Sequence, residues 1–196
     1  MGYLCKYKFY ILIISIFLFS SCVGKRNYVK KTFIRENVDI SYIKKVAVLT
    51  FENHTKHENA GEIVRDIVTT EILAMKIFDT VGKSMVNAVL MDEVGQESAE
   101  SGFDKELLKR IAKRLKVDGL IIGSVDAYGD KRDGMYTYPV VTLTLRLIDG
   151  KSGIILWQTS GTETGYSLGE RLFGIKAKDI NQLTFELVEK LLSTLK

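Results

Sequence analysis

Two cysteines, two histidines, one proline and one tryptophan are all that these 196 residues hold of those types. Cys5 and Cys22 cannot build a disulfide framework, and a four-thiolate zinc site is excluded. A single proline leaves no Pro-rich linker, and there is no repeat or low-complexity tract. An excess of one charge is missing too. The net charge is +4, and Lys6 and Lys8 in the first 21 residues supply half of it. The remainder is too small to point to nucleic acid or a polybasic surface. Phosphate-cradling glycine motifs and the hydrolase signatures GxSxG and HExxH are also lacking. "GKS" occurs twice, at Gly82–Ser84 and Gly150–Ser152, without the upstream glycine a phosphate loop needs. Paired acids such as Asp130/Asp133 and Asp92/Glu93 fall in turns and at helix ends. The composition, 46% apolar and 27% charged, is that of a globular chain.

Some chemistry remains to be weighed. His54 and His57 form an i, i+3 pair in the loop after the first apolar strand. With Glu52 or Glu58 they could hold a metal. The loop is polar and offers no thiol or third histidine, so two solvated histidines is the reading favoured here. A metal-binding or enzymatic domain using His54/His57 stays as an alternative. The expectation is a chain that is not an enzyme and carries no cofactor or metal.

The longest apolar run is at the start. Residues 1–10 carry two lysines and no acid, ILIISIFLF spans 11–19, and Ser20 and Ser21 precede Cys22. That is the three-part plan of a secretory signal peptide. A spanning helix needs ~20 apolar residues, so an uncleaved anchor fits less well. Small residues just before a cysteine resemble the bacterial lipoprotein signal, in which the cysteine is acylated and becomes the first residue. The match holds at Ser20, Ser21 and Cys22 and departs at Phe19, where Leu, Val or Ile is usual. By the same resemblance Val23, rather than Asp, points to the outer membrane. Residues 1–21 are therefore read as a lipoprotein signal peptide, Cys22 as the palmitate-bearing lipidation site, 22–37 as an extended tether, and 38–196 as the folded domain. Two or more acyl chains hold a protein stably on a membrane, and a tether of this length would let the domain stand off it.

Within the domain, KKVAVLTF (44–51) predicts a strand buried on both faces. Ile63, Val64, Ile67, Val68, Ile72 and Met75 lie at helical spacing, with Asn59 and Glu62 placed for a capping box. A short strand follows at 77–82, and a short helix begins at Ser84. Asp104 predicts the cap of a second amphipathic helix, with Phe103 and Leu108 as a staple. VDGLIIGSVDAYG predicts a buried strand, DKRDG a tight loop, and YPVVTLTLRLID a strand with Val141, Leu143, Leu145 and Leu147 on one face. IILWQTSGT is its partner, and Asp179 with Gln182 opens a last helix. The order β-α-β-α-α-β-β-β-α predicts a single α/β domain with a mixed sheet packed by helices. The 104–116 helix turns Lys109, Arg110, Lys113 and Arg114 outward. This is either a solvated helix face or a docking surface for an acidic partner, an anionic lipid or a glycan, and those four residues are the candidate partner-binding face.

Three segments carry a family resemblance: KKVAVLTFEN, RIAKRLKVDGLIIGSVDAYG, and VTLTLRLIDGKSGIILWQTSGT. Together they are similar to the CsgG/LpoB-related periplasmic lipoproteins over about residues 44–196. The resemblance implies an α/β domain in the periplasm, no enzymatic residues, and an envelope protein partner, with self-association left open. It implies a scaffold or activator role, peptidoglycan-synthase activation among the options. Pore-forming members of the family extend two long hairpins. Here the first interval, YGDKRDGMYTY, is too short to span, and the second, TSGTETGYSLGERLFGIKAKD, lacks an alternating apolar face. A curli-type secretion channel subunit is the alternative on that side.

Overall fold

The structure is a computed structural model that describes residues 29–36, 38–94, 103–165 and 178–195. The signal peptide, Cys22 and the first part of the tether lie outside the described residues, as do the polar loop near residue 98 and the glycine-rich loop after 165.

The strands are β1 (Val29–Ile34), β2 (Lys45–Val48), β3 (Glu52–Asn53), β4 (Asp79–Thr80), β5 (Gly119–Asp133), β6 (Tyr136–Asp149) and β7 (Ile155–Thr164). The helices are α1 (Ala60–Ala74), α2 (Lys83–Val94), α3 (Lys105–Leu115) and α4 (Ile180–Leu192). Short 3-10 turns occupy Ile40–Tyr42 and Ser193–Leu195. The strands form one mixed sheet in the order β1-β7-β6-β5-β2-β4, with β3 beside β5. β2 runs parallel to β4 and β5, and β5, β6, β7 and β1 are antiparallel in turn. The α/β class and the mixed sheet are as the residue pattern predicts. Among the described residues no helix is long and apolar enough to cross a membrane.

Two apolar clusters sandwich the sheet. On one face, Val141, Leu143, Leu145 and Leu147 of β6 meet α1 and α4 through Val64, Val68, Leu183, Leu187 and Leu191. Trp157 is fully buried there, and its indole N–H donates to Thr194 Oγ1 at 2.8 Å. On the other face, Ala47, Leu49, Leu120 and Ile148 meet Val86 and Val89 of α2 and Leu108, Ile111 and Leu115 of α3. Each large side chain buried this way contributes about 1.5–3 kcal/mol. Asp118 ties the two parallel strands at their start: its Oδ2 accepts from the backbone N–H of Lys44 and of Lys45, both at 3.0 Å.

Several expectations need correcting. Val29–Ile34, read as tether, is an edge strand paired with β7 from Val29↔Thr162 to Ile34↔Trp157. Its alternation of Lys, Thr and Phe is too polar to read as a core strand, yet an edge strand needs only one neighbour. Asn59 precedes α1 at φ −97°, ψ 8°, outside the extended backbone of a capping residue, and makes no side-chain cap bond. The other half of the box is also unmade, Glu62 pairing with Lys83 at 2.7 Å. Helix α2 starts one residue before Ser84. Asp104 caps α3 as expected, accepting from Leu107 N–H at 2.8 Å. Asp179 caps α4, but Gln182 turns toward Glu186 rather than completing a box. The DKRDG segment is mostly strand: β5 runs to Asp133 and the turn narrows to Gly134-Met135, with Gly134 at φ +61°.

Candidate functional site

The two faces of the sheet are covered unequally. Helices α2 and α3 cover the second face over β2 and the adjoining ends of β5 and β6. Among the described residues nothing lies over the rest of that face. The uncovered part is built from every second residue of β5, β6 and β7, and almost every one is polar. Thr142 opposes Thr162, Thr144 opposes Ser160, and Arg146 opposes Gln158. The hydroxyls pair across the strands at 3.0 Å (Thr142–Thr162) and 2.9 Å (Thr144–Ser160), and Arg146 Nε donates to Gln158 Oε1 at 3.1 Å. Cross-strand polar pairs of this kind stabilise a solvated sheet face without closing it to a ligand.

Asp126 organises the β5 edge of this face. The β5–β6 register slips between Val125 and Ala127, so Asp126 sits at a bulge and its carboxylate is re-aimed. It accepts from Ser124 Oγ at 3.0 Å and Thr144 Oγ1 at 3.2 Å, and His54 Nδ1 lies 2.9 Å from its Oδ1. Glu52 sits 3.7 Å from His54 Nε2. Beside this group is an open cleft of about 390 Å³ lined by Thr50, Glu52, Phe103, Asp104, Ile122 and Arg146. The hydroxyls here bond to the carboxylate or to one another, and the imidazole touches acids. The arrangement suits recognition of a polar partner by many small donors and acceptors.

The two histidines separate. His54 faces Asp126 on the open side. The ring of His57 packs edge-on against Tyr128, 5.2 Å between centroids, and Tyr128 belongs to the core on the opposite face. Among the described residues no group of three or more His, Cys, Asp or Glu is placed to hold a metal. The basic helix face is partly compensated from within. Arg110 meets Glu93 at 3.1 Å, Arg114 meets Glu93 at 3.0 Å and Asp92 at 2.8 Å, and Lys109 meets Glu106 at 3.0 Å. Hydrogen bonds from Arg114 and then Arg110 hold the Glu93 carboxyl below its ordinary value. Lys113 is exposed. Glu106 belongs to α3 itself, while Asp92 and Glu93 come from the end of α2, which carries no signal of its partner in the sequence. Asp126 was legible only as a lone acid interrupting an apolar strand.

No family model matches the chain, and no curated protein matches it. Solved structures do. PelC from Paraburkholderia phytofirmans, solved as a dodecamer, aligns over 86% of this chain and 96% of its own, with TM-score 0.59 and 21% identity. Lipoprotein GNA1162 from Neisseria meningitidis aligns over 78% and 97%, with TM-score 0.55 and 14% identity. What they share with this chain is the fold. The C-terminal domain of LpoB from Salmonella enterica also matches, over 61% and 81%, at TM-score 0.46 and 13% identity. The lipoprotein side of the resemblance read from the sequence thus meets a solved lipoprotein of the same fold; its CsgG side is not shown.

Proposed function

We propose that this chain is a lipid-anchored accessory protein of a bacterial envelope, held on the periplasmic face of the outer membrane through Cys22 and acting by binding rather than by a reaction. The observation that carries this reading is the fold held in common with lipoprotein GNA1162, nearly the whole of which is covered. The run ending Ser20-Ser21-Cys22 supplies the matching address. The hydroxyl-rich open face and the exposed Lys113 end of α3 are the surfaces offered to an envelope protein partner, peptidoglycan-synthase activation being one form of such a role. The test is paired. Labelled palmitate is expected to enter the wild-type protein and not Cys22→Ser, and the variant is expected to leave the membrane fraction. Photo-crosslinkers at Thr144 and Lys113 are expected to give discrete adducts in native envelopes. Label retained in Cys22→Ser overturns the anchor. No adduct, with no envelope defect on deletion, overturns the binding role.

Assembly of copies is the second reading, favoured by the dodecameric state of the PelC structure. A spanning pore is not favoured. Beyond the last β6–β7 pair, Val140↔Thr164, the β5–β6 hairpin continues for only four rungs, Asp130↔Pro139 to Asp133↔Tyr136. A membrane-spanning strand needs ~9–11 residues. Detergent-stable rings that conduct ions would reverse this.

A further inference from the structure

The strand order puts two chain features at one end of the sheet. β1 is antiparallel to β7, and its first residue, Val29, is level with Thr162 and, through it, with Thr142 of β6. The β5–β6 hairpin carries on past that level to its tip. Thr142 and Tyr136 are six residue steps apart, which at ~3.4 Å per step puts the tip ~20 Å ahead of Val29 along the strands. Val29 and Cys22 are seven residue steps apart, a reach of at most ~24 Å when fully extended. The two lengths nearly match. A bilayer holding an acyl chain on Cys22 therefore lies no further from the sheet than about the length of the hairpin.

The tip has the composition of an interfacial contact. Met135 is 95% exposed and Tyr136 48%. Both are large side chains at the end of the hairpin furthest from the helices. Lys131 and Arg132 flank them, and Asp130 and Asp133 balance that charge. The pull toward a membrane would then come from the aromatic and thioether groups and not from net charge. Tyrosine is enriched at membrane–water interfaces, where its ring sits among headgroups with the hydroxyl toward water. Long basic side chains beside it can extend toward the same headgroups.

We propose that the β5–β6 hairpin tip, Met135 and Tyr136, inserts into the headgroup layer of the membrane that holds Cys22, so that the domain is docked on the bilayer at two points and stands with its strands upright. This rests on the anchor reading of Cys22. The experiment uses the mature acylated protein in phosphatidylcholine vesicles doped with a nitroxide lipid. Met135→Cys supplies the one free thiol for an environment-sensitive dye. Lys151→Cys, in the turn at the opposite end of the sheet, is the control. The expected result is a blue shift and several-fold quenching for the label at 135 and neither at 151, with Tyr136→Asp reducing both signals. An acylated, vesicle-bound protein whose label at 135 is unshifted and unquenched overturns the tip contact while leaving the anchor intact. That outcome includes a tip covered by another protein. Failure of Cys22 to acylate overturns the anchor and the tip contact with it.

Discussion

Asp118 shows how much one side chain can hold. V-D-G opens a segment that reads as buried strand, and the carboxylate reaches across to the backbone N–H groups of Lys44 and Lys45 and aligns β2 with β5. Those bonds, Lys44 first, put its pKa below the ordinary value. Asp149 also lies low. Burial pushes it up, but hydrogen bonds from Ser152 and then Tyr42 outweigh that. A carboxyl lowered on folding contributes stability that is complete above its unfolded pKa, about 4, and is lost as pH falls through the folded value. Asp118→Asn is expected to be less stable than wild type at pH 7, and the gap is expected to narrow as pH falls below about 4 and the wild-type carboxylate is protonated. Urea midpoints at pH 7 and below about pH 4 check this. An unchanged gap would mean that Asp118 acts through geometry alone. Tyr42 reports on the alkaline side. Burial, followed by Asp149, raises its pKa to about 12, so its contribution holds below about 10 and declines as pH rises through the folded value.

The elements most legible in the sequence were those with a strict period. VTLTLRL alternates without interruption, and its leucines are all buried. The α3 stripe and its Asp104 cap were equally plain. What the pattern could not show was pairing between distant segments. β1 looks like tether because half of its side chains are solvated lysine and threonine, and only its register with β7 makes it a strand. Asn59 has the spacing of a capping box, but its backbone is not that of a cap, and Glu62 pairs with Lys83, 24 residues after Asn59. The open-face network was half legible. With Val141, Leu143, Leu145 and Leu147 on one face, the period of two puts Thr142 and Thr144 on the other, while Asp126 needs the bulge to be seen. The strand assignment of β1 has a direct consequence. A chain beginning at residue 28 keeps the edge strand and is expected to be monodisperse. One beginning at residue 36 bares the β7 edge, an unpaired row of backbone groups open to a second chain. The shorter form is expected to melt several degrees lower, since each kcal/mol lost moves Tm by ~2–4 °C in a domain of this size. It is also expected to self-associate. Thermal melts and size-exclusion chromatography at two concentrations decide it; equal melting temperatures would make β1 dispensable.

At the scale of the whole molecule, the added strand changes the relation of the domain to the membrane. Read as residues 22–37, the tether lets the domain stand off the surface. With Val29 already paired in β1, only seven steps of chain lie between the sheet and Cys22. Seven steps of chain reach at most ~24 Å, less than the sheet's own length along β6. With Cys22 acylated as proposed, the domain would lie against the surface, and a partner would approach it along the membrane or from the far end of the sheet. Lengthening the tether should undo this. Twenty Gly/Ser residues inserted after Val23 leave Cys22, the acylation signal and β1 unchanged, and alone add a span of ~22–27 Å. Neutron reflectivity from the acylated protein on a supported bilayer is expected to show no water layer between lipid and wild-type protein. With the insertion, a hydrated gap should open wherever the hairpin contact does not hold the domain down. A gap of the same depth in both proteins would show that the seven-residue tether does not set the distance.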